Sequence, residues 1–427
     1  MSVKLRILGG GREVGRAAFL VDDSSEKFLL DYGVNFDEED HPQFPGHVRP
    51  IELSGLAVTH AHLDHIAAAP LLYITGRPRA YMTAPTLEMG RILIRDFLKL
   101  NAFYIDYELS ELEAMASHTK LVEYSEEVEA GGYRLLMTSA GHILGSSLVY
   151  LTTPSGHQIL YTGDINTIQT WTLTKAELWP YKIDTLIIES TYGSTKHPPR
   201  HLTEKRLVDS IEEVVNNGGT VLIPAFSVGR SQEIICLLQA ELPHVDIYID
   251  GMSRDVTGLY LKYKRFLRDP TIFEKAVENT FFVRGWQDRR KAWRKPGVIV
   301  SSAGMLKGGP SVYYLKKIAD NPRNAVFLVS YQAVGSPGHE LLEKGGIEEF
   351  GVENVKARLE WFDLSSHAGK DGLLSVALHY KHTLRNIVIV HGEDDAANNL
   401  ARMIREVLGE DINIVIPSNG DEIILED

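Results

Sequence analysis

Four side chains capable of binding a metal ion lie within six consecutive residues of this sequence. They are His60, His62, Asp64 and His65. Neutral imidazoles and carboxylates are ligands that zinc takes, and a single loop holds them at nearly fixed spacing. Because histidine accounts for only 16 of the 427 residues, this clustering is improbable by chance. A solvated surface cluster is the alternative, but the spacing favours a metal site.

Three further candidate ligands are scattered along the chain. They are His142, Asp164 and His391, and each follows an apolar run. Four clustered residues cannot fill the coordination shells of two metal ions, so additional ligands are expected elsewhere. Each of the three, taken singly, is more often a hydrogen-bonded loop residue. Taken together with the clustered residues, they are better interpreted as ligands.

Short apolar runs typical of β-strands precede the polar residues in the first half of the chain. Residues 27–30 precede Asp31, and residues 56–59 precede His60. Functional side chains are commonly placed on loops that a rigid sheet supports. The pattern therefore predicts a sheet whose strand ends position the candidate ligands.

From about residue 200 the pattern changes to alternating helices and strands. Apolar residues recur at helical spacing over 207–215, and a strand is predicted over 220–224. A helix over 232–242 and a strand over 245–249 follow. Strands separated by helices predict βαβ units and a mainly parallel sheet.

The charge distribution separates the middle of the chain from its flanks. The whole chain has 44 basic and 57 acidic side chains, a net charge of −13, which by itself argues against a nucleic-acid partner. However, residues 196–364 contain 24 basic and 21 acidic side chains, and residues 254–295 contain 12 and 5. This change of sign indicates an inserted domain with its own surface function.

Composition excludes several classes of protein. With 44% hydrophobic and 24% charged residues, the chain is neither disordered nor fibrous. No apolar run approaches the roughly 18 residues of a membrane span, and the N-terminus has no signal-peptide block. We therefore expect a cytoplasmic protein without membrane contact. The single cysteine, Cys236, cannot form an internal disulfide and is interpreted as a small buried hydrophobe.

Taken together, these motifs resemble the β-CASP group of metallo-β-lactamase-fold nucleases. That group includes the endonuclease subunit of the eukaryotic cleavage and polyadenylation factor, bacterial RNase J and archaeal relatives. The resemblance begins at residues 9–16, runs nearly end to end, and includes Glu189, His367 and His391 in the three motifs specific to the β-CASP branch. The clustered His and Asp residues alone would indicate only the superfamily, whose members also hydrolyse lactams, thioesters and lactones.

The resemblance implies an α/β fold with two parts. Residues 1–195 and 365–427 are expected to form a metallo-β-lactamase αββα sandwich. Residues 196–364 are expected to form an inserted β-CASP domain, doubly wound around a mainly parallel sheet.

The resemblance also implies two zinc ions per chain. By analogy, one ion is held by His60, His62 and His142, and the second by Asp64, His65 and His391, with Asp164 bridging them. Asp64 and Asp164 are thereby counted among the catalytic residues as well as the ligands. Two metal ions clamp a phosphate and activate water for in-line attack.

Further roles follow from the same resemblance. His367 would protonate the leaving 3′-oxygen, and Glu189 would orient the His367 imidazole. Asp31 would accept a hydrogen bond from a ligand histidine, although it could instead be a turn aspartate before Gly33. Some relatives have Asp where this chain has Gly369, so the resemblance assigns no acidic residue to that position.

The basic segment supplies candidate RNA-binding residues. Cations alternate with tryptophans there, and cations neutralise phosphates while aromatic faces stack on unpaired bases. The candidates are Trp286, Arg289, Arg290 and Trp293. An amphipathic helix with its tryptophans inward and its cations solvated is an equal alternative.

Two strand-to-helix turns supply candidate phosphate-binding residues, because backbone N–H groups at such turns can hold a phosphate. The candidates are Ser302 and Gly304 in one turn and Arg230 in the other. The same residues could form a pocket for a 5′-phosphate or hold an internal phosphate.

The sequence thus predicts a zinc-dependent ribonuclease that cuts single-stranded RNA as an endonuclease, with 5′→3′ exonuclease activity as a possible second mode. A homodimer and partner subunits of an RNA-processing complex are compatible with the resemblance. One alternative is a catalytically inert RNA-binding scaffold, which would be expected to have lost ligands. The other is a small-molecule metallo-hydrolase, which the β-CASP motifs and the insertion disfavour.

Overall fold

Within residues 3–23, 26–409 and 411–425, which this computed structural model describes, the strands are, in chain order, β1 (Lys4–Gly9), β2 (Ala18–Asp23), β3 (Glu26–Leu30), β4 (Asn35–Phe36), β5 (Pro42–Gln43), β6 (Leu53–Ala57), β7 (Ala80–Met82), β8 (Thr119–Leu121), β9 (Glu127–Ala130), β10 (Tyr133–Ser139), β11 (Ser147–Thr152), β12 (Gln158–Tyr161), β13 (Thr185–Glu189), β14 (Thr220–Pro224), β15 (Ile247–Asp250), β16 (Thr280–Phe282), β17 (Gly297–Ser301), β18 (Ala325–Leu328), β19 (Arg358–Trp361), β20 (Asn386–Val390), β21 (Asn413–Val415) and β22 (Glu422–Ile424).

The α-helices of the same residues are α1 (Leu63–Ile66), α2 (Leu72–Thr75), α3 (Ala84–Asn101), α4 (Leu109–Ser117), α5 (Arg200–Asn216), α6 (Arg230–Glu241), α7 (Ser253–Lys262), α8 (Pro270–Glu278), α9 (Trp286–Ala292), α10 (Gly309–Ile318), α11 (Pro337–Lys344), α12 (Lys370–His379) and α13 (Asp394–Leu408). Short 3₁₀ helices occur at Pro50–Glu52, Ala69–Leu71, Lys264–Phe266 and Glu348–Phe350.

The chain divides into two compact units. Unit 1 contains the described residues of Met1–Gln169, Lys175–Lys196 and His367–Asp427. Unit 2 contains Thr170–Thr174 and His197–Ser366. The predicted domain bounds place residues 170–174 in the first part of the chain instead, and those bounds stay a prediction.

Unit 1 has two seven-stranded sheets that face each other. Their strand orders are β22-β1-β2-β3-β6-β7-β8 and β21-β20-β13-β12-β11-β10-β9. Successive side chains of a strand point to opposite faces, so Phe19 of β2 packs between the sheets, where its ring lies 5.3 Å from that of Tyr161. Burial of each such side chain contributes about 1.5–3 kcal/mol to folding.

Helices cover the outer faces of both sheets of unit 1. Leu20, which follows Phe19 on β2, packs on the side where α3 contributes Ile94 and Phe97. On the second sheet, Leu160 of β12 packs with Leu373 of α12 and with side chains of α13. The predicted αββα order is therefore confirmed.

Local patterning did not predict several elements of unit 1, of which α3 and β22 are two. The sequence pattern indicated only short strands in the first half, whereas α3 extends over 18 residues. Its Thr83 side chain accepts a hydrogen bond from the Thr86 amide, a favourable helix start that the short-strand interpretation overlooked. Strand β22 pairs antiparallel with β1, a contact between the two ends of the chain that local patterning does not reveal.

Unit 2 is built on a six-stranded sheet in the order β16-β15-β17-β14-β18-β19. Every pairing in it is parallel, as predicted. Leu222 of β14 and Ile299 of β17 pack in one core with Tyr314 of α10. Among the residues the structure describes, no helix is long and apolar enough to cross a membrane.

Candidate metal centre

The candidate ligands of unit 1 follow strands from both sheets. β3 and β6 are parallel neighbours in the first sheet, and β12, β13 and β20 are parallel neighbours in the second. The carboxyl ends of parallel neighbours lie at one edge of a sheet, so the loops that follow them are brought together. These loops contain Asp31, the His60–His65 segment, Asp164 and His391.

The first ligand group consists of His60, His62, His142 and Asp164. His62 Nδ1 lies 3.1 Å from the Nε2 atoms of both His60 and His142. Asp164 Oδ2 lies 3.3 Å from His60 Nε2 and 3.4 Å from His142 Nε2. Tetrahedral ligands at the 2.0–2.1 Å usual for zinc would be roughly 3.4 Å apart. These four separations of 3.1–3.4 Å are close to that spacing, so the group fits a zinc ion.

The second ligand group consists of Asp64, His65 and His391, with the other oxygen of Asp164 facing it. Asp164 Oδ1 lies 3.3 Å from His65 Nε2 and 3.6 Å from His391 Nε2. Asp64 Oδ2 lies 3.6 Å from His391 Nε2 and 3.9 Å from His65 Nε2. The two oxygens of one carboxylate thus face two separate groups, which is the arrangement of a bridging ligand.

Two buried atoms in the second group identify what fits there. His65 Nε2 and Asp164 Oδ1 have no hydrogen-bond partner among the described residues, although both atoms are buried. Leaving a buried polar atom unpaired costs about 1–3 kcal/mol. A cation shared by both atoms would remove this cost, so these residues fit a metal ion.

Asp31 fixes the orientation of His65 by contacting the ring nitrogen that does not face the ligand group. One Asp31 oxygen lies 2.7 Å from His65 Nδ1 and accepts a hydrogen bond from the Tyr161 hydroxyl at 2.8 Å. The carboxylate also accepts hydrogen bonds from the Thr59 amide and hydroxyl at 2.7 and 2.8 Å. Because His65 Nδ1 is occupied by Asp31, Nε2 is the atom directed at the second group.

The orientation of His60 is fixed by a contact with Thr59, and the loop that contains Gly163 packs against Thr59. Its Nδ1 lies 3.0 Å from the hydroxyl of Thr59. Gly163, just before Asp164, has φ +49°, and a Cβ there would lie 2.7 Å from Thr59 Oγ1. Glycine is therefore required at this position for the two ligand loops to approach each other.

His367 lies beside the first ligand group. Its Nδ1 is 3.1 Å from Glu189 Oε1, and its Nε2 is 3.9 Å from Asp164 Oδ2. Glu189 is itself held by the backbone amide of Ile165, which donates to Oε1 at 2.8 Å. The His367 ring also packs on that of His142, with centroids 4.5 Å apart. A carboxylate-held imidazole thus adjoins the candidate bridging ligand.

The protonation states favour metal binding by the histidines of the first ligand group and proton donation by His367. Burial lowers the pKa values of His60 and His142 and lowers the pKa of His62 to about 3, so these rings are neutral at pH 7. Burial also lowers the pKa of His367, but the carboxylates of Glu189 and Asp164 outweigh this effect and raise the pKa to about 9. Neutral imidazoles bind metals, whereas the charged His367 ring has a proton to give.

Three families of domains match the chain. The metallo-beta-lactamase superfamily domain matches residues 19–190, and the Beta-Casp domain matches residues 231–341. The Zn-dependent metallo-hydrolase RNA specificity domain matches residues 352–417.

Several proteins have sequences similar to this one over nearly its whole length. RNase aCSPSF2 of Saccharolobus solfataricus is 45% identical over 100% of this chain and 86% of its own length. The chain belongs to the β-CASP branch of the metallo-β-lactamase superfamily. The probable RNase MJ4 of Methanocaldococcus jannaschii is 34% identical to this β-CASP protein over 97% of this chain and 98% of its own length. The transcription termination factor FttA of Pyrococcus horikoshii is 34% identical over 99% of this chain and 71% of its own length.

A solved structure shares the fold of the β-CASP protein. It is a protein of unknown function from Enterococcus faecalis V583, with a TM-score of 0.61 and 12% identity, and the match covers 100% of both chains. At this identity the match indicates the fold alone.

The RNA-binding candidates of the β-CASP protein lie in unit 2 and differ in accessibility. Arg230 is buried in an ion pair with Glu233, and its guanidinium donates to Ser366 Oγ at 3.0 Å. Ser302 and Gly304 follow β17, and a Cβ at Gly304 would lie 2.9 Å from the Phe226 amide nitrogen. The structure therefore brings the two candidate phosphate-binding turns side by side.

The four residues of the basic segment separate into two pairs. Trp286 and Arg290 are exposed. Trp293 packs against a core of unit 2, and Arg289 is bound to Asp250. The equal alternative of inward tryptophans and solvated cations thus describes Trp293 and Arg290 but not Trp286 or Arg289.

Thr59, Tyr161 and Gly163 support the centre but are not metal-binding residue types, so the motifs did not predict their roles. Thr59 and Gly163 directly precede ligands, and this adjacency was a usable signal. Tyr161 lies 130 residues from Asp31, so only the folded chain reveals their hydrogen bond.

Proposed function

We propose that this β-CASP protein is a metal-dependent ribonuclease that binds two zinc ions and cuts single-stranded RNA internally. The observation that carries the proposal is the position of Asp164, whose two oxygens face separate ligand groups while His367 lies 3.9 Å away. Relatives that span the whole chain are named as RNases, and the domain over residues 352–417 is described as an RNA specificity domain of zinc-dependent hydrolases.

The proposed ligand assignment follows the two groups. His60, His62 and His142 would hold one zinc ion, and Asp64, His65 and His391 the other, with Asp164 shared. Bound divalent ions supply positive charge that neutralises phosphate oxygens and makes water a nucleophile near neutral pH.

The protein's own residues would perform the remaining chemistry. His367 carries a proton on the side of Asp164, and we assign it the role of donating that proton to the leaving 3′-oxygen. Glu189 would hold the imidazole through Nδ1, so that Nε2 faces the scissile phosphodiester. Asp31 would act through His65 by fixing which nitrogen binds the metal.

We also propose that residues 196–364 form the β-CASP domain inserted between two parts of the metallo-β-lactamase domain, at 1–195 and 365–427. The compact unit at His197–Ser366 and the Beta-Casp match at 231–341 support these bounds. Ser302, Gly304 and Arg230 are proposed to line a phosphate-binding turn, because their loops are adjacent. A homodimer and RNA-processing partner subunits belong to the same proposal.

The deciding experiment combines metal analysis with cleavage of defined RNAs. The purified protein should contain about two zinc ions per chain. It should open a covalently closed circular RNA, and it should cut linear RNAs with 5′-hydroxyl, monophosphate or triphosphate ends.

Other outcomes distinguish the alternatives. An intact circle, with monophosphate-dependent loss of linear RNA, would replace the endonuclease proposal with a 5′→3′ exonuclease. Binding of RNA without metal or cleavage would indicate a scaffold. Hydrolysis of a thioester but not of RNA would indicate a small-molecule hydrolase.

A further inference from the structure

Trp286 is a large aromatic side chain on the surface of unit 2. It opens helix α9, and 62% of its surface is exposed. A single exposed apolar side chain is common on a protein surface, so the residues around Trp286 decide what it can bind. We propose that Trp286, Tyr313 and the exposed cations around them form a binding surface for single-stranded RNA, here called the Trp286 surface. The proposal rests on the ribonuclease function proposed above, since it takes RNA as the ligand.

The ring of Trp286 is held in place from two sides. Its centroid lies 5.5 Å from that of Tyr313 in an edge-on arrangement. The guanidinium of Arg289 lies 5.0 Å from the Trp286 centroid on the same short helix. Both contacts restrict the tryptophan, so a base that stacks on its free area need not order the ring first.

Arg289 is in turn anchored to the core of unit 2. Its Nε and Nη2 atoms donate to the two oxygens of Asp250 at 2.7 and 2.9 Å. Asp250 is buried, and it also accepts a hydrogen bond from the Tyr314 hydroxyl at 2.8 Å. Arg289 therefore serves as a support for Trp286 rather than as a free phosphate ligand.

The charges on the Trp286 surface favour a polyanion. Residues 281–295 contain one acidic side chain, Asp288, whose carboxylate accepts a hydrogen bond from the Arg284 amide. The exposed cations of the helix and its flanks are Arg284, Arg290, Lys291, Arg294 and Lys295. On α10, Lys317 lies over Tyr313 at 5.8 Å. In a chain with a net charge of −13, this local excess of positive charge selects a negatively charged ligand.

The aromatic rings specify which polyanion fits. Stacking requires an unpaired base, because the bases of a duplex are already stacked on one another. A duplex or an acidic protein surface would satisfy the cations but would leave the exposed tryptophan unused. Single-stranded RNA satisfies both features.

The Trp286 surface is connected to the candidate phosphate-binding turn. Asp250, which anchors Arg289, pairs in register with Ser301 across strands β15 and β17. A Cβ at the following Gly251 would lie 2.2 Å from Ser302 Oγ. The support of Trp286 and the Ser302 loop therefore lie at the same edge of the sheet. A strand whose phosphate lies at that loop could extend toward Trp286.

The test measures affinity for short labelled single-stranded RNA by fluorescence anisotropy, with EDTA present to prevent cleavage. Trp286→Ala should weaken binding by about 5- to 100-fold, the usual contribution of one stacked base. Trp286→Phe should retain most of the affinity, because a smaller aromatic face still stacks. Phe103→Ala, which removes a fully exposed aromatic ring of unit 1, is the matched control and should leave affinity unchanged.

Two further measurements separate this proposal from the ribonuclease function. Metal-loaded Trp286→Ala should hydrolyse a nitrophenyl phosphodiester at the parental rate, since that substrate has no nucleobase strand to stack on the ring. Binding of duplex RNA should be insensitive to Trp286→Ala. If the variant binds single-stranded RNA as tightly as the parental protein, the proposal is overturned, whatever other partner the surface has. If binding depends on Trp286 but no RNA is cut, the surface stands and the ribonuclease function fails.

Discussion

The two ligand groups of unit 1 and the Trp286 surface of unit 2 differ in how their charged and polar side chains are buried and paired. In unit 1, polar atoms are buried and two of them, His65 Nε2 and Asp164 Oδ1, lack hydrogen-bond partners among the described residues. In unit 2, Arg289 is fully engaged with buried Asp250, while the tryptophan above it is exposed.

This difference indicates what each region is prepared to bind. Convergent buried nitrogen and carboxylate oxygen atoms without hydrogen-bond partners fit a small cation, which can contact all of them at once. A supported exposed ring with exposed cations around it indicates a single-stranded polymer, whose bases can stack while its phosphates contact the cations. Substitutions in the ligand groups of unit 1 should therefore cause large losses of metal binding or cleavage. Substitutions on the Trp286 surface should cause smaller losses of affinity for RNA.

The largest effect is expected from His391→Ala, which removes a nitrogen from the second ligand group. The variant should bind less zinc and lose RNA cleavage, because the metal shell is left incomplete. Elemental analysis and cleavage assays measure both effects. His379→Ala, which removes an exposed histidine of unit 1, is the control. Full zinc content and normal turnover in His391→Ala would remove the two-metal assignment.

The next largest effect is expected from His367→Ala. This variant should retain both metal ions but cleave RNA about 10²–10⁴-fold more slowly, the usual contribution of a general acid. A nitrophenyl phosphodiester, whose leaving group needs no proton, should be cleaved at nearly the parental rate. Equal loss on both substrates would mean that His367 positions the phosphate instead of donating a proton.

A smaller effect is expected from Asp31→Asn, which keeps the size of the side chain but weakens its hold on His65. Metal affinity should fall by about 10–100-fold, as is usual for residues that orient a ligand. Competition with a chelator measures this affinity without any turnover. Asp37→Asn, at an exposed position of unit 1, should have no effect. Unchanged affinity in Asp31→Asn would show that the fold alone orients His65.

The smallest effect is expected from Arg290→Gln on the Trp286 surface. Loss of one phosphate contact should reduce the slope of log affinity for single-stranded RNA against log salt by about 0.7. Affinity at low salt should fall only a few-fold, since exposed charges are screened. Arg402→Gln, at an exposed position of unit 1, is the control and should leave the slope unchanged. An unchanged slope in Arg290→Gln would place the RNA elsewhere.

Much of the fold followed from local patterning. The apolar runs before Asp31, His60 and Asp164 correspond to strands, and the alternation after residue 200 corresponds to the parallel sheet of unit 2. Helix α3 was missed although Thr83 gives it a local start signal, whereas β22 was missed because it depends on a distant contact. Strand β22 is formed by pairing with β1. It is only three residues long, which is too short to show the alternation of apolar and polar residues that identifies a strand.

The sequence by itself determined which residues could bind metal and where along the strands they lie, because their types and their clustering are local properties. It did not determine how the ligands are shared. His62 and His142 are 80 residues apart, and the division of the two Asp164 oxygens between groups depends on how the two sheets face each other.

The same distinction applies to the basic segment. The sequence determined that tryptophans and cations alternate there, but only the tertiary structure decided which of them are available to a ligand. Arg289 is paired because Asp250, 39 residues earlier in the chain, ends a neighbouring strand at the right place. A buried carboxylate such as that of Asp250 pairs with a nearby guanidinium because an unpaired charge in the interior is costly. Which guanidinium is near depends on distance in space and not on separation along the chain.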